Sequence, residues 1–350
     1  MSTKLKKLSD QVIVITGATS GIGLTTARMA VEAGAKLVLA SRNGDALDRL
    51  AAELGASGAQ ALAVPADVGE RADVERVGQA AIDRYGRIDT WVNNAGVSIY
   101  GRNEEISLED QHRLFQTNFW GVVHGSLEAL RRMRQHGGAL INLGSEVSDR
   151  AVPLQGMYSA SKHAVKGYTD SLRMEIEKEG VPISVTLIKP AAIDTLFTVH
   201  AKSYMQREPE LPPPLYAPEV VAKAILHAAQ RPQRDVYIGG AAKLMALGGF
   251  HMPRLLDKYM NATVFRQQQS GKRSAPDRAD ALHAANSQEL QQRLGRHENP
   301  VHERSPYTAL ALRTRPLAMT LLVGGALLAA WRLAGRGAAP ASVSTPTLTH

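Results

Sequence analysis

The chain has 350 residues, 44% hydrophobic and 21% charged, an ordinary globular composition that suffices for one large domain or two smaller ones. It has no cysteine, which excludes disulfides, thiolate catalysis and cysteine-ligated metals, and its 11 histidines form no HExxH-like cluster, so no metal site is expected. Of the formal charge of +8, +7 sits in residues 251–350, with 13 Lys+Arg against 6 Asp+Glu, whereas residues 1–250 hold 28 against 27; few aromatics interleave with the tail's charges, so no nucleic-acid binding is expected.

In chain order, Lys4, Lys6 and Lys7 precede the first strand without an apolar h-region, so no secretory signal is expected. Val12–Thr16 predicts a strand and Ile22–Ala33 a helix. Strand Lys36–Ala40 and helix Asp45–Leu54 follow, then strand Ala61–Pro65 and a helix through Val74–Tyr85. Ile88–Val92 is a strand before a long helix across Gln111–Gln135. Strand Ala139–Leu143, helix Tyr158–Lys178, strand Ile183–Ile188 and strand Val236–Ile238 complete the series. Repeated βα units specify an α/β fold, a Rossmann-type doubly wound parallel sheet with helices on both faces. Ligands of such sheets bind beyond the carboxyl ends of the strands.

Three stretches are expected: a catalytic domain over 1–250, a polar and basic linker over 251–304, and a tail over 305–350. Lys243–Met260 reads as a helix apolar on one side. Asn261–Glu303 is rich in Gln, Arg and Ala and reads as a loosely packed or disordered connection. Leu317–Trp331 is a 15-residue apolar run between Arg315 and Arg332. As a helix it would be about 22 Å long, short of the ~30 Å bilayer core unless the arginines snorkel. A tail anchor or interfacial helix, a docked helix and a disordered tail all stay open. The body is expected in the cytoplasm, with membrane association through 317–331 as the tail's candidate role.

The strongest chemical signal is Tyr158-Ser159-Ala160-Ser161-Lys162, which puts a phenol and an ammonium on one helix face. An ammonium about 4 Å away contributes roughly 4 kcal/mol at an effective dielectric near 20. That would bring the phenol towards pH ~7, where a general acid is most useful. Such spacings also occur by chance. Thr16-Gly17-Ala18-Thr19-Ser20-Gly21-Ile22-Gly23 links the first strand to the first helix. Its glycines permit close approach of a phosphate, and the helix N-terminus supplies donors and positive potential; a tight structural turn would use the same glycines.

Taken together, the TGxxxGxG turn, Asn93-Asn94-Ala95-Gly96 after the fourth strand, Ser145 after the fifth and the YxxxK helix resemble the classical short-chain dehydrogenase/reductase family over roughly residues 8–240. The resemblance implies NAD(P)-dependent hydride transfer between a carbonyl and an alcohol. It implies Tyr158 as the acid on the carbonyl oxygen and Lys162 as the group that lowers its pKa and binds the nicotinamide ribose. Ser145 would hold the substrate oxygen, and Asn118 would hold a water of the proton relay. The cofactor would rest on Gly17, Thr19, Ser20, Gly21, Ile22 and Gly23, on Asp67 and Val68 at the adenine, on Asn94, Ala95 and Gly96, and on Pro190, Ile193 and Thr195 at the carboxamide. A small-molecule carbonyl or alcohol substrate and a homo-oligomer are implied as well.

The second strand ends in Ser41-Arg42 without the acid that usually accepts the adenosine ribose hydroxyls. Arg42 could pair with a 2′-phosphate, so NADP(H) is favoured and NAD(H) stays open. Ala191 replaces the usual glycine after Pro190 and would be strained only at positive φ. Residues 196–235 should cover the substrate. Phe197, Tyr204, Met205, Leu211, Leu215 and Tyr216 could line an apolar cleft or merely pack the cover. A nucleotide-responsive scaffold without turnover, or a protein whose main role is membrane recruitment, are the alternatives; an intact Ser145, Tyr158 and Lys162 argue against the scaffold.

Overall fold

The apolar β-branched runs form seven parallel strands: β1 (Val12–Thr16), β2 (Lys36–Ser41), β3 (Ala61–Pro65), β4 (Thr90–Asn93), β5 (Gly138–Leu143), β6 (Ile183–Pro190) and β7 (Asp235–Ile238). Their order across the sheet is β7-β6-β5-β4-β1-β2-β3, so the direction of winding reverses between β1 and β4. The crevice at that reversal is where such sheets bind ligands. Every residue of β1, β5 and β6 is buried, as strands covered on both faces must be. Ile13, Val14 and Ile15 are fully enclosed; burying each such side chain contributes about 1.5–3 kcal/mol.

A computed structural model describes residues 4–275, 277–286, 289–297 and 299–313. Met1–Thr308 forms one compact unit; of the second, Ala309–His350, residues 309–313 are described and are helical. The Leu317–Trp331 run lies outside the described residues. Among the described residues no helix is long and apolar enough to cross a membrane.

Helices α1 (Gly21–Glu32), α2 (Gly44–Ala56), α3 (Arg71–Tyr85), α4 (Leu108–Phe115), α5 (Gly121–Met133), α6 (Gly156–Glu179) and α7 (Pro218–Ala228) connect the strands. The helix predicted as continuous over 111–135 is broken by a π-helical turn at Gln116–Trp120. A π turn inserts an extra residue per turn and re-aims the residues after it. Here it carries Asn118, fully buried, against the loop after β4. The helix predicted over 243–260 divides at Met252, ahead of Pro253, into Gly240–His251 and Pro253–Tyr259. Ala191 is absent from the residues with positive φ, so its replacement of glycine carries no strain.

The reading of 261–303 as a loosely packed or disordered connection is corrected by its contacts. Gln268 and Leu282 are fully buried, and Val264 and Ala281 nearly so. Gln269–Arg273 pairs with Arg207–Pro209, and Val301–His302 pairs with Leu215–Tyr216. Between these pairings the chain crosses the carboxyl-end face of the sheet as a strap. Its polar composition misleads because its side chains spend their polarity on partners in the body. Arg278 donates to Glu208 and to the carbonyls of Thr198, Val199 and Ala201. The His297 ring, its side chain 1% exposed, lies between Asp194 (2.9 Å) and Glu210 (3.0 Å).

Candidate active site

Three adjoining cavities with shared lining residues run along the carboxyl ends of the strands. The first, about 880 Å³, is bounded by Ser145, Tyr158 and Lys162, with Ile22, Asn94, Gly96, Pro190, Ile193 and Thr195 on the neighbouring wall. The third is lined by Gly17, Ser20, Gly21, Ile22, Asn94, Ala95, Gly96 and Thr195. The second reaches Thr19, Ser41, Arg42, Asp67 and Val68. The trough therefore joins Ser145, Tyr158 and Lys162 to the end of β2, an elongated course that suits an extended dinucleotide. Gly23 and Asn118 lie beneath this surface rather than on it.

The turn and the β4 loop are stitched together. Thr16 Oγ1 accepts from the N–H groups of Asn94 (3.0 Å) and Ala95 (3.1 Å), and Asn94 Nδ2 donates to the carbonyls of Thr16 and Gly17. Gly17 has φ +65°, and a Cβ there would lie 2.9 Å from Ala95 Cα. A Cβ on Gly23 would lie 2.0 Å from the Gly17 carbonyl oxygen. Only glycine lets the turn lie this close to the β4 loop, which leaves the space above it for a diphosphate. The residues present therefore fit a nicotinamide dinucleotide.

Burial decides the state of the Tyr158 and Lys162 pair. Tyr158 is pushed up to about 12 by burial, against a lowering hydrogen bond from Ser145 and with a further rise from the nearby Glu146 charge. Lys162 is pushed down to about 8, also by burial. Its Nζ donates to the Leu143 carbonyl (2.8 Å) and sits 5.8 Å from the centre of the Tyr158 ring. From the helical spacing alone, the ammonium would bring the phenol towards neutrality. Here desolvation outweighs that attraction, because both groups leave water and the ammonium points at a carbonyl. At pH 7 the phenol keeps its proton, which is the form carbonyl reduction consumes.

Asn118 is committed at both ends of its amide. Its Oδ1 accepts from Val97 N (2.8 Å), and its Nδ2 donates to Val97 O (2.9 Å) and Ser161 Oγ (3.1 Å). Ser145 caps the short turn Glu146–Ser148, which closes on Ser148 in a reciprocal pair. The end of that loop is fixed by buried Lys189, whose Nζ lies 3.0 Å from Asp149 and donates to Tyr237 Oη at 2.8 Å.

At the β2 end the strap meets the trough. Arg42 donates to the carbonyls of Leu282 (3.1 Å), Ala281 and Ala284 (3.3 Å). Thr19 O accepts from Leu290 N (2.7 Å), and Gly21 N donates to Gln291 O (2.9 Å). Glu289 bonds Thr19, and its Oε2 is buried with no hydrogen-bond partner; burial holds this carboxyl above its ordinary range. Asp67 pairs with Arg113 and accepts from Gly69 N. At the other end Gln268 accepts from Gln155 Nε2 (2.6 Å) within the first cavity, and Leu282 packs in the cluster that includes Tyr158. Sequence reading missed Glu146, Gln155, Gln268, Arg113 and Glu289. Glu146 carried one signal, its place next to Ser145; the strap residues carried none, since only the tertiary path brings them here.

The short chain dehydrogenase family matches residues 11–205, and the chain belongs to that family. It is an oxidoreductase of the kind that acts on CH–OH groups with NAD(P). The oxidoreductase YxnA of Bacillus subtilis is 47% identical over 341 residues, 95% of this chain and 93% of that protein. The oxidoreductase SadH of Mycobacterium tuberculosis is 32% identical and covers 68% of this chain and 90% of its own length. An alcohol dehydrogenase of the archaeon Thermococcus sibiricus, solved with 5-hydroxy-NADP, has a TM-score of 0.58 at 27% identity over 65% of this chain and 95% of that one. A Streptomyces avermitilis short-chain dehydrogenase has a TM-score of 0.60 at 27% identity over 73% and 98%. The match to YxnA extends over the strap, whereas the other three cover 65–73% of this chain.

Proposed function

We propose that the chain is an NADP(H)-dependent carbonyl reductase for a predominantly apolar substrate. The observation that carries this reading is the single cavity in which Ser145, Tyr158 and Lys162 meet the wall of the Gly-rich turn and the β6 end. The bound nicotinamide supplies the hydride. Tyr158 gives its proton to the carbonyl oxygen as negative charge develops there, and Ser145 orients that oxygen by its hydroxyl. Lys162 fixes the nicotinamide side and, as a nearby cation, favours the phenolate left behind. Asn118 positions the Val97 loop and Ser161 beneath Tyr158. Val147, Val152, Phe197 and Leu211 exclude water and suit an apolar body.

Support for NADP(H) is Arg42 at the end of β2, where no acid stands. Its guanidinium has five donors and spends three on the strap carbonyls, leaving two for a 2′-phosphate. Asp67 and Val68 border the adenine end, with Thr19, Ser20 and Ser41 beside them. Exposed Trp120 and Leu127, seven residues apart on one helical face, support self-association, which light scattering of the full chain would measure. The Leu317–Trp331 run and its arginine flanks support attachment to an anionic membrane surface. Equal partition of the full chain and of a chain ending at Glu303 between soluble and vesicle fractions would remove that role.

Tyr158→Phe tests the chemistry. Turnover of aldehydes and ketones should fall by at least about 10²-fold, the usual contribution of a positioned acid. NADPH binding, read by its fluorescence, should change little. Full turnover in the variant would overturn the mechanism, and absence of NADPH binding by the unaltered chain would overturn the cofactor reading.

A further inference from the structure

Glu146 is the acidic member among the residues lining the first cavity, and Lys162 the basic one. Lys162 is turned to the Leu143 carbonyl and makes no ion pair with it. Among the described residues Glu146 forms no side-chain hydrogen bond and no salt bridge. The turn it begins is held by Ser145 and Ser148, so its side chain is not needed to cap it. Burial alone shifts its own titration, and its charge in turn raises the Tyr158 and Tyr216 phenols, both neutral at pH 7. The wall beyond it is apolar, formed by Val147, Val152, Phe197 and Leu211. A carboxyl that is partly open to the cavity, faces an apolar wall and has no protein partner is available to a ligand donor, which would replace the water it otherwise meets.

We propose that Glu146 is a specificity residue, and that the substrate is a carbonyl compound with an apolar body and one hydrogen-bond donor, an ammonium or a hydroxyl, placed to meet this carboxyl while its carbonyl faces Tyr158 and Ser145. This inference rests on the carbonyl-reductase reading and names its substrate class. A site built to satisfy a polar group rejects the analogue that lacks it, because the group is then left unpaired. Burial pushes Glu146 up to about 7, so the carboxyl both donates and accepts near neutrality and can serve either donor.

The test uses the full chain with NADPH and three ketones of one carbon skeleton that differ at one carbon by methyl, hydroxyl or ammonium. The unaltered protein should show kcat/KM about tenfold or more higher for a donor-bearing ketone than for the methyl ketone. Glu146→Gln should lower the ammonium-to-methyl ratio about tenfold, because the amide keeps an acceptor but carries no charge. Calorimetric binding of the same compounds to the NADPH-loaded chain should give the same ordering whether or not turnover is seen. In the unaltered protein the ammonium-to-methyl ratio should climb from pH 5.5 to pH 8.5 as the carboxyl ionises, a result that needs no variant. A preference for the methyl ketone, or donor ratios unchanged by Glu146→Gln and flat with pH, would overturn the inference. Methyl-ketone turnover that disappears in Tyr158→Phe would meanwhile leave the parent reading standing.

Discussion

Removing the charge at Glu146 should stabilise the protein at alkaline pH and leave it unchanged at acid pH. The carboxyl's ordinary value is 4.5 and the folded protein holds it at about 7, with burial as the cause. A raised folded value means the folded state binds the proton more tightly. The favourable contribution is therefore full below 4.5 and lost as pH rises through about 7. At ~1.36 kcal/mol per pKa unit that gap sets an upper bound of about 3 kcal/mol. Glu146 keeps part of its surface exposed to the cavity, and solvent screening there reduces the net effect to about 1–2 kcal/mol. Glu146→Gln keeps the shape and remains neutral. Urea unfolding of both proteins at pH 4 and pH 9 should give closely similar stability at pH 4 and a more stable variant at pH 9. A melting rise of about 2–4 °C per kcal/mol is the thermal counterpart. An equal difference at both pH values would refute the reasoning, since it would place the carboxyl in water in the folded state.

Arg42→Ala should weaken NADPH binding about 10- to 100-fold and NADH binding much less, as expected for loss of one charge-assisted contact; equal effects on the two, by fluorescence titration, would remove the 2′-phosphate role. The same change should speed amide hydrogen exchange across 281–291, because three carbonyl contacts of the strap are lost. Lys189→Ala should cost up to about 3–5 kcal/mol in urea unfolding by emptying its buried site and leaving half-buried Asp149 without its cation, and pairing Lys189→Met with Asp149→Asn should recover most of it. Gly23→Ala should cost about 1–3 kcal/mol and weaken NADPH binding, since its Cβ would press on Gly17 O and Asn94 Nδ2; unchanged affinity would separate the turn's packing from cofactor contact.

Much of the fold and the chemical core of the site was legible in the chain because it is written locally. Strand and helix periods depend on neighbouring residues, so the seven strands fall close to their predicted places. The Gly17–Gly23 turn, Asn94–Gly96, Ser145 and the Tyr158–Lys162 spacing each lie within one turn or helix, at strand ends that the sheet's topology must bring together. The features left open by the sequence depend on distant contacts. The π turn at Asn118 follows from its bonds to Val97, and the high value of the Tyr158 phenol follows from burial that no spacing specifies.

The strap is the clearest case. By composition Asn261–Glu303 is a polar connection, and nothing in it announces a binding surface. Its arginines, glutamines and His297 find carboxylates and carbonyls supplied by elements up to 115 residues away, so that Gln268 reaches the first cavity, and its Ala281–Ala284 carbonyls reach Arg42. The sequence by itself determined the Tyr158–Lys162 spacing and the Gly17–Gly23 turn, since each is a property of a single element. The tertiary structure alone decided the electrostatic setting of those residues and what covers them, since both depend on which groups are excluded from water together.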